Sequence, residues 1–109
     1  MDAEAERRVA RNEAMLRDAN EAIERGLWPG EEHGAVRFRC ECSRLECNAV
    51  VELDLSDYEH VRQQERRFVM REGHERPDIE LVVERQTGYI VVEKRGDAGA
   101  VAEREDPRN

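Results

Sequence analysis

Apolar side chains recur at regular spacing through the first 25 residues of the chain. The segment from Ala3 to Arg25 contains no proline or glycine and is dense in Ala, Glu, Arg and Leu, which favour helix. Within it Val9, Leu16 and Ile23 lie seven residues apart and form one narrow apolar stripe. The pattern predicts a long helix whose stripe packs on a core or on a partner.

Beyond this helix the apolar period shortens to that of β-strands. Gly26 and Pro29 terminate the helix, and residues 31–34 are typical of a linker. Alternating or β-branched segments then predict five strands, at residues 36–40, 49–55, 67–71, 79–84 and 89–93. The last two are predicted to form a hairpin around a turn at residues 86–88.

One short helix and a C-terminal tail complete the pattern. Ser56, followed three residues later by Glu59, matches a capping box and predicts a helix over residues 57–64. The residues from Asp97 onward are small and polar, with Pro107 near the end, and are typical of a mobile tail.

The composition leaves little apolar material for a core and is strongly acidic. Hydrophobic residues make up 39% of the 109 residues, charged residues 40% and aromatic residues only 5%. A domain this small and polar needs an additional source of stability. Its formal charge of −8 argues against a general affinity for nucleic acid, which requires a clustered cationic surface. We therefore expect an unknown protein partner, with nucleic acid an unlikely one.

Membrane insertion and secretion are both unexpected from the sequence. No apolar run approaches the roughly twenty residues of a membrane span. The first segment, MDAEAERRVARNE, is far more charged than a secretory signal. The predicted location is the cytoplasm.

All three cysteines fall within eight positions. Cys40, Cys42 and Cys47 form a C-x-C-x4-C pattern. A structural disulfide is disfavoured, because the cysteine count is odd and no secretory signal is evident. Unrelated core thiols seldom cluster so closely, whereas short cysteine knuckles are typical of structural Zn²⁺ sites. The pattern predicts zinc bound by three thiolates and one further ligand.

The candidates for the fourth ligand are the three histidines or a carboxylate. His33 lies in the linker, where it could reach the thiols without being firmly held, and His60 lies on the predicted short helix. His74 follows Gly73 in a turn directly after a strand, which presents its ring at the end of a sheet. We predict His74, with the others as alternatives.

A fully liganded site favours a structural role over catalysis. Three thiolates make the metal electron-rich and a poor Lewis acid for hydrolysis, although a bound water in place of the fourth ligand would indicate catalysis. Oxidation of the thiolates with metal release is an alternative function.

A nucleic-acid-binding role is a further alternative, since one stretch of the chain is locally basic. Its arginines interleave with glutamates and are expected to be solvated; they are Arg62, Arg66, Arg67, Arg71 and Arg76.

Several motifs together carry a resemblance. They are R-N-E-x-x-x-R-x-x-N-E-x-I from Arg11, F-R-C-E-C from Phe38, L-S-D-Y-E from Leu55, G-H at 73–74, and V-V-E-R-x-x-G-Y from Val82. The chain resembles a family of small uncharacterised bacterial proteins with a predicted zinc knuckle. The resemblance implies that G-H supplies the fourth ligand and implies no activity. One departure is Ser43, where the family has glycine, so the turn is built without glycine's freedom.

The predicted fold class is α+β: a long N-terminal helix followed by a small antiparallel sheet with one short helix, stabilised by zinc. We divide the chain into an N-terminal helix at residues 1–30, a zinc-binding α+β domain at 31–96 and a mobile tail at 97–109. The predicted function is that of a non-catalytic, zinc-stabilised regulatory or adaptor protein. Its interaction surface would be the helical stripe of Val9, Leu16 and Ile23.

Overall fold

Helices and strands alternate along the computed structural model, which describes residues 1–108. The elements are α1 (Ala3–Arg25), β1 (Ala35–Arg39), β2 (Val50–Asp54), α2 (Leu55–Arg62), β3 (Arg67–Met70), β4 (Glu80–Gln86), β5 (Tyr89–Lys94) and α3 (Gly96–Arg104). The α+β class is confirmed, and each predicted strand is present within about two residues of its predicted bounds. Within residues 1–108, no helix has the length and apolar character needed to cross a membrane.

The strands form two antiparallel sheets rather than the single sheet predicted. One sheet is the β1–β2 pair, and the other has the order β3-β5-β4 with β5 in the centre. The predicted β4–β5 hairpin is confirmed, with a bulge in β4 between Val82 and Glu84. Just beyond the end of β1, the backbone N–H of Glu41 donates to the carbonyl of Val69 in β3 at 2.9 Å. This bond joins the two sheets.

The apolar core is divided into three small clusters. The first lies between β1, β2, α2 and the second sheet, where the rings of Phe38 and Tyr58 stack with centroids 4.2 Å apart. The second surrounds Phe68 and includes Cys40 and Cys42. The third, near the N-terminal half of α1, is built on small side chains and contains Ala10, Ile79, Ala98 and Val101. Each cluster is small, as the composition predicts.

The face that α1 turns to the interior is largely polar. Its buried residues are Ala10, Glu13, Ala14, Arg17, Asn20 and Glu21. The predicted stripe lies beside this face: Val9 and Ile23 are partly buried and pack against the core clusters. These two residues therefore pack on the core, which is one of the two predicted outcomes, and are covered in part; the role of the stripe as an interaction surface stays a prediction.

Buried charges on this face find partners in other elements. Lys94, the only lysine of the chain, is fully buried between Glu13 and Glu80, with its Nζ 2.5 Å from Glu80 Oε2. Burial raises the pKa of Glu13 to about 7, although the Lys94 ammonium lowers it in part. Arg17 lies 4.6 Å from the centre of the Phe68 ring. The packing of α1 therefore depends on ionic pairing as well as on apolar contact.

The short helix α2 begins two residues earlier than predicted. Its N-cap is Asp54, whose Oδ1 accepts the backbone N–H of Asp57 at 2.8 Å, so the predicted cap at Ser56 is wrong. Because α2 follows β2 without a loop, the last strand residue already has the extended backbone that an N-cap requires.

The segment predicted as a mobile tail contains helix α3 instead. Ala98, Gly99, Val101 and Ala102 are buried there. A Cβ at Gly99 would clash with the Arg66 guanidinium and would lie 3.0 Å from the carbonyl oxygen of Lys94. The small side chains that resemble a tail in the sequence are those that allow α3 to approach its neighbours closely.

Ionic contacts extend this packing to the end of the described chain. Arg62 donates to Glu21 and to Asp106, each at 2.6 Å, and all three side chains are buried. Arg108 donates to Glu21 and to Glu59, at 2.8 and 2.7 Å. The C-terminal residues are therefore held against α1 and α2.

The same substitution, alanine to aspartate, at a buried and at an exposed position of α3 tests whether this helix is part of the core. Ala98→Asp places a carboxyl group in an apolar cluster and is expected to lower the free energy of unfolding by about 3 kcal/mol or more. Ala100→Asp, at an exposed position of the same helix, is expected to change it by less than about 0.5 kcal/mol. Denaturant unfolding measures both, and equal stabilities would contradict the packing of α3.

Candidate metal centre

Two loops bring the three thiols and one imidazole together. Cys40 and Cys42 directly follow β1, Cys47 lies in the turn before β2, and His74 lies in the turn after β3. The four ligand atoms all lie within 4.8 Å of one another. Every residue of the predicted ligand set therefore lies in one cluster that could hold a metal ion.

The distances around His74 Nδ1 match the edges of a tetrahedron. Nδ1 lies 3.5 Å from the sulfur of Cys40, 3.5 Å from that of Cys42 and 3.7 Å from that of Cys47. A tetrahedral ion with Zn–S bonds of about 2.3 Å and a Zn–N bond of about 2.1 Å separates nitrogen from sulfur by roughly 3.6 Å. One ring nitrogen cannot hydrogen-bond three sulfurs at once, since it has one proton or one lone pair. The near-equal distances indicate a common centre between the four atoms.

Backbone amides surround the sulfurs. The N–H of Arg71 donates to Cys40 Sγ at 3.2 Å. The Arg44 backbone opposes the rise that burial causes in the pKa of Cys42, and the Ala49 backbone contributes to the lowered pKa of Cys47. Such donors stabilise thiolate, which is the form of cysteine that binds metal.

Burial affects the pKa values of the thiols and of the imidazole in opposite directions: it disfavours the thiolates that bind metal and favours the neutral imidazole. Desolvation raises the pKa of Cys40 and that of Cys42 above the ordinary thiol range. Desolvation is also the largest single influence on Cys47, but the Ala49 backbone, the other two thiols and the charge of Arg39 together outweigh it, so the pKa of this thiol is lowered. Desolvation lowers the pKa of His74, and the charge of Arg44 adds to that effect. The imidazole is therefore neutral near pH 7, as a metal ligand must be.

The turn between Cys42 and Cys47 is built without glycine. Its left-handed residue is Glu46, at φ 61°, whereas Ser43 has no positive φ. The Oγ of Ser43 accepts a bond from Arg76 Nε at 2.5 Å, and Arg44 Nη2 donates to the carbonyl of Gly73 at 2.6 Å. The turn therefore forms with serine at position 43, and two side-chain bonds tie it to the chain around His74.

Sequence reasoning missed the role of Glu41, which lies between two of the ligands. Its side chain is fully buried and accepts bonds from Asn20, Tyr58 and the backbone of Val69. Strand alternation from Val36 would place residue 41 on the solvent face. The strand ends at Arg39, so the alternation no longer applies at Glu41.

The other two histidines lie on the surface, outside the cluster. The side chain of His33 is 83% exposed and lies 3.8 Å from a Glu32 oxygen. The side chain of His60 is 63% exposed and lies 3.8 Å from Glu84. The two other histidines that the sequence offered as the fourth ligand are therefore wrong for this fold.

The locally basic stretch is mostly paired within the chain. Arg66 and Arg67 form ion pairs with Glu103 and Glu93, and Arg62 is buried in the network described above. Arg71 is exposed. This pairing favours the structural interpretation of the stretch over a nucleic-acid surface.

Comparison of the chain with protein-family models, with curated proteins and with solved structures gave no match. The resemblance to a family of small bacterial proteins therefore stays a prediction. The gathering of its expected ligand residues at one point is an observation independent of that resemblance.

The left-handed residue in the turn provides a test of the local backbone. Glu46→Gly is expected to stabilise the protein by about 1 kcal/mol, because a non-glycine residue in this conformation costs about 1–2 kcal/mol. Leu45→Gly, one residue earlier at an ordinary φ and 95% exposed, is expected to be neutral or slightly destabilising. Thermal unfolding compares the two, and stabilisation by Leu45→Gly alone would contradict the turn.

Proposed function

We propose that the cluster binds Zn²⁺ and that the protein is a non-catalytic, zinc-stabilised regulatory or adaptor protein of the cytoplasm, acting through protein–protein interaction. The observation that carries the proposal is the near-equal separation of one imidazole nitrogen from three sulfurs. The remaining support comes from donor chemistry and from the exposed surface.

Zinc is the metal that this donor set favours. Three cysteine sulfurs and one histidine nitrogen in a tetrahedral arrangement are typical of structural zinc sites, whereas magnesium and calcium prefer oxygen ligands. Reduced cytoplasmic thiols are available for metal binding, which agrees with the absence of any disulfide among the three cysteines.

The same donor set supports a structural role. Catalytic zinc sites keep one position for water or substrate, whereas here four candidate ligand atoms lie within 4.8 Å of one another and would fill all four positions. The thiolates also reduce the Lewis acidity of the ion. With small apolar clusters on either side, metal binding would contribute folding free energy that the core lacks, on the order of 10 kcal/mol in small zinc modules.

Substitution of the histidines tests the metal and its ligands. The purified protein is expected to contain one zinc per chain by elemental analysis. His74→Ala is expected to lower zinc affinity by more than the roughly 100-fold that loss of an outer-shell partner costs, and to lower the thermal midpoint.

His33→Ala and His60→Ala are matched controls, since each removes one exposed imidazole. Both are expected to keep wild-type zinc affinity. Folded protein with no zinc and three freely titratable thiols would contradict the site.

Exposed apolar side chains support the protein-interaction part of the proposal. Trp28, in the loop that follows α1, is 73% exposed, and Leu45 is 95% exposed in the turn of the cysteine knuckle, which we define as residues 40–47. Tryptophan is enriched among the residues that dominate binding energy. The charge of −8 and the internally paired arginines favour a protein partner over nucleic acid.

A capture experiment from the native host tests that surface. Trp28→Ala is expected to keep wild-type stability, since its side chain is exposed, and to lose the bound partner. Leu81→Ala, at a 51% exposed position on β4, is the control and is expected to retain it.

Two results would favour the alternative functions instead. Salt-sensitive retention on DNA or RNA would indicate a nucleic-acid-binding regulator. Reversible zinc release by peroxide, with loss or gain of the partner, would indicate a thiol redox switch.

A further inference from the structure

The carboxylate of Glu41 connects the cysteine knuckle to three separate elements. Its Oε2 accepts from Asn20 Nδ2 of α1 at 2.7 Å and from the Tyr58 hydroxyl of α2 at 3.1 Å. Its Oε1 accepts from the backbone N–H of Val69 in β3 at 2.9 Å. The side chain has no solvent exposure. All its bonds are therefore made inside the protein, by groups that would lose them if the knuckle moved.

Asn20 holds both the strand before the knuckle and the carboxylate within it. Its Oδ1 accepts the N–H of Arg39 at 2.7 Å, and its Nδ2 donates to the carbonyl of Arg39 at 2.9 Å as well as to Glu41. The amide thus bonds the residue immediately before Cys40 and the residue immediately after it. A shift of these ligands moves all three bonds of Asn20.

We propose that Glu41 is a positioning residue that couples metal binding at Cys40 and Cys42 to the docking of helix α1 through Asn20. The inference rests on the metal site proposed above and assigns to it a regulatory consequence: gain or loss of the metal changes how firmly the C-terminal half of α1 is held.

The physical basis is the rigidity that the metal imposes on a three-residue segment. With Cys40 and Cys42 bound to one ion, the peptide that carries Glu41 has one orientation, and its carboxylate meets Asn20 and Tyr58 without further ordering. Without the ion the thiols are free to separate, and the same bonds must then order the segment by themselves. Because binding free energies are reciprocal, docking of α1 must raise metal affinity by the same factor by which metal favours docking.

A merely structural Glu41 would affect stability without affecting the metal. The distinguishing measurements are therefore zinc affinity under conditions in which every variant is folded, and hydrogen exchange of α1 with and without metal. Both use the full-length protein, with Zn²⁺ as the ligand and a chromophoric chelator as the competitor.

Asn20→Ala removes the link from α1, and Asn12→Ala removes the same amide from an exposed position of the same helix. Tyr58→Phe removes one donor to Glu41 and keeps the ring that stacks on Phe38. Val101→Ala weakens packing against Ala10 of α1 without touching the Glu41 bonds.

The expected zinc affinities differ between these variants. Asn20→Ala is expected to bind zinc about 10- to 100-fold more weakly, and Tyr58→Phe several-fold more weakly. Asn12→Ala is expected to match the wild type. Val101→Ala is expected to match it once any unfolded fraction is accounted for.

Hydrogen exchange should show the reciprocal effect. In the wild type, chelation is expected to speed exchange at residues 17–23 more than at residues 5–11, and in Asn20→Ala this difference should disappear. Wild-type zinc affinity in both Asn20→Ala and Tyr58→Phe, or exchange in α1 that ignores the metal, would overturn the coupling and leave the zinc site in place. Wild-type protein that binds no zinc would overturn both.

Discussion

Every charged or amide group that α1 turns inward must find a partner in another element. Glu13 meets Lys94 of β5, Arg17 donates to the carbonyls of Glu65 and Ala102, and Asn20 bonds the end of β1. A buried group left unpaired costs more free energy than its pairing contributes. The positions of these elements relative to α1 are therefore restricted to those that keep the hydrogen bonds. The two sheets, α3 and the cysteine knuckle are all arranged around this helix face.

Local patterns predicted those parts of the fold that are decided locally. The bounds of α1 follow from helix propensity and from Gly26, and the strand positions follow from side-chain alternation. Helix α3 was not predicted, because its small side chains are explained only by their close packing against Arg66 and α1, which are distant in sequence. The way in which the two sheets meet likewise depends on a contact between residues distant in sequence, the bond between Glu41 and Val69, which no local pattern reveals.

In the candidate site, too, local sequence predicts some residues, and others depend on tertiary contacts. Cysteine spacing identified the three thiols, and a glycine followed by a histidine after a strand identified His74, because ligand chemistry restricts which residue types can serve. Nothing in the spacing indicates Glu41. An acidic residue between two cysteines looks like a solvated position, because the sequence does not show that the strand ends at Arg39 or that α1 supplies Asn20 as a partner. Supporting residues are harder to predict than ligands, since their role is set by tertiary contacts alone.

The ionic inner face of α1 also explains why a metal suits this fold. Buried ion pairs specify a single arrangement but contribute little net stability, because the desolvation of their charges offsets most of the attraction. Buried charges in this chain therefore specify one arrangement of its elements. The small apolar clusters, however, contribute little free energy of folding. A metal ion held by the four candidate ligands on the two loops would supply the missing stability close to where the two sheets meet, and Glu41 lies between that point and the helix. Under the proposed coupling, stability gained at the metal site would reach α1, around which the other elements are arranged.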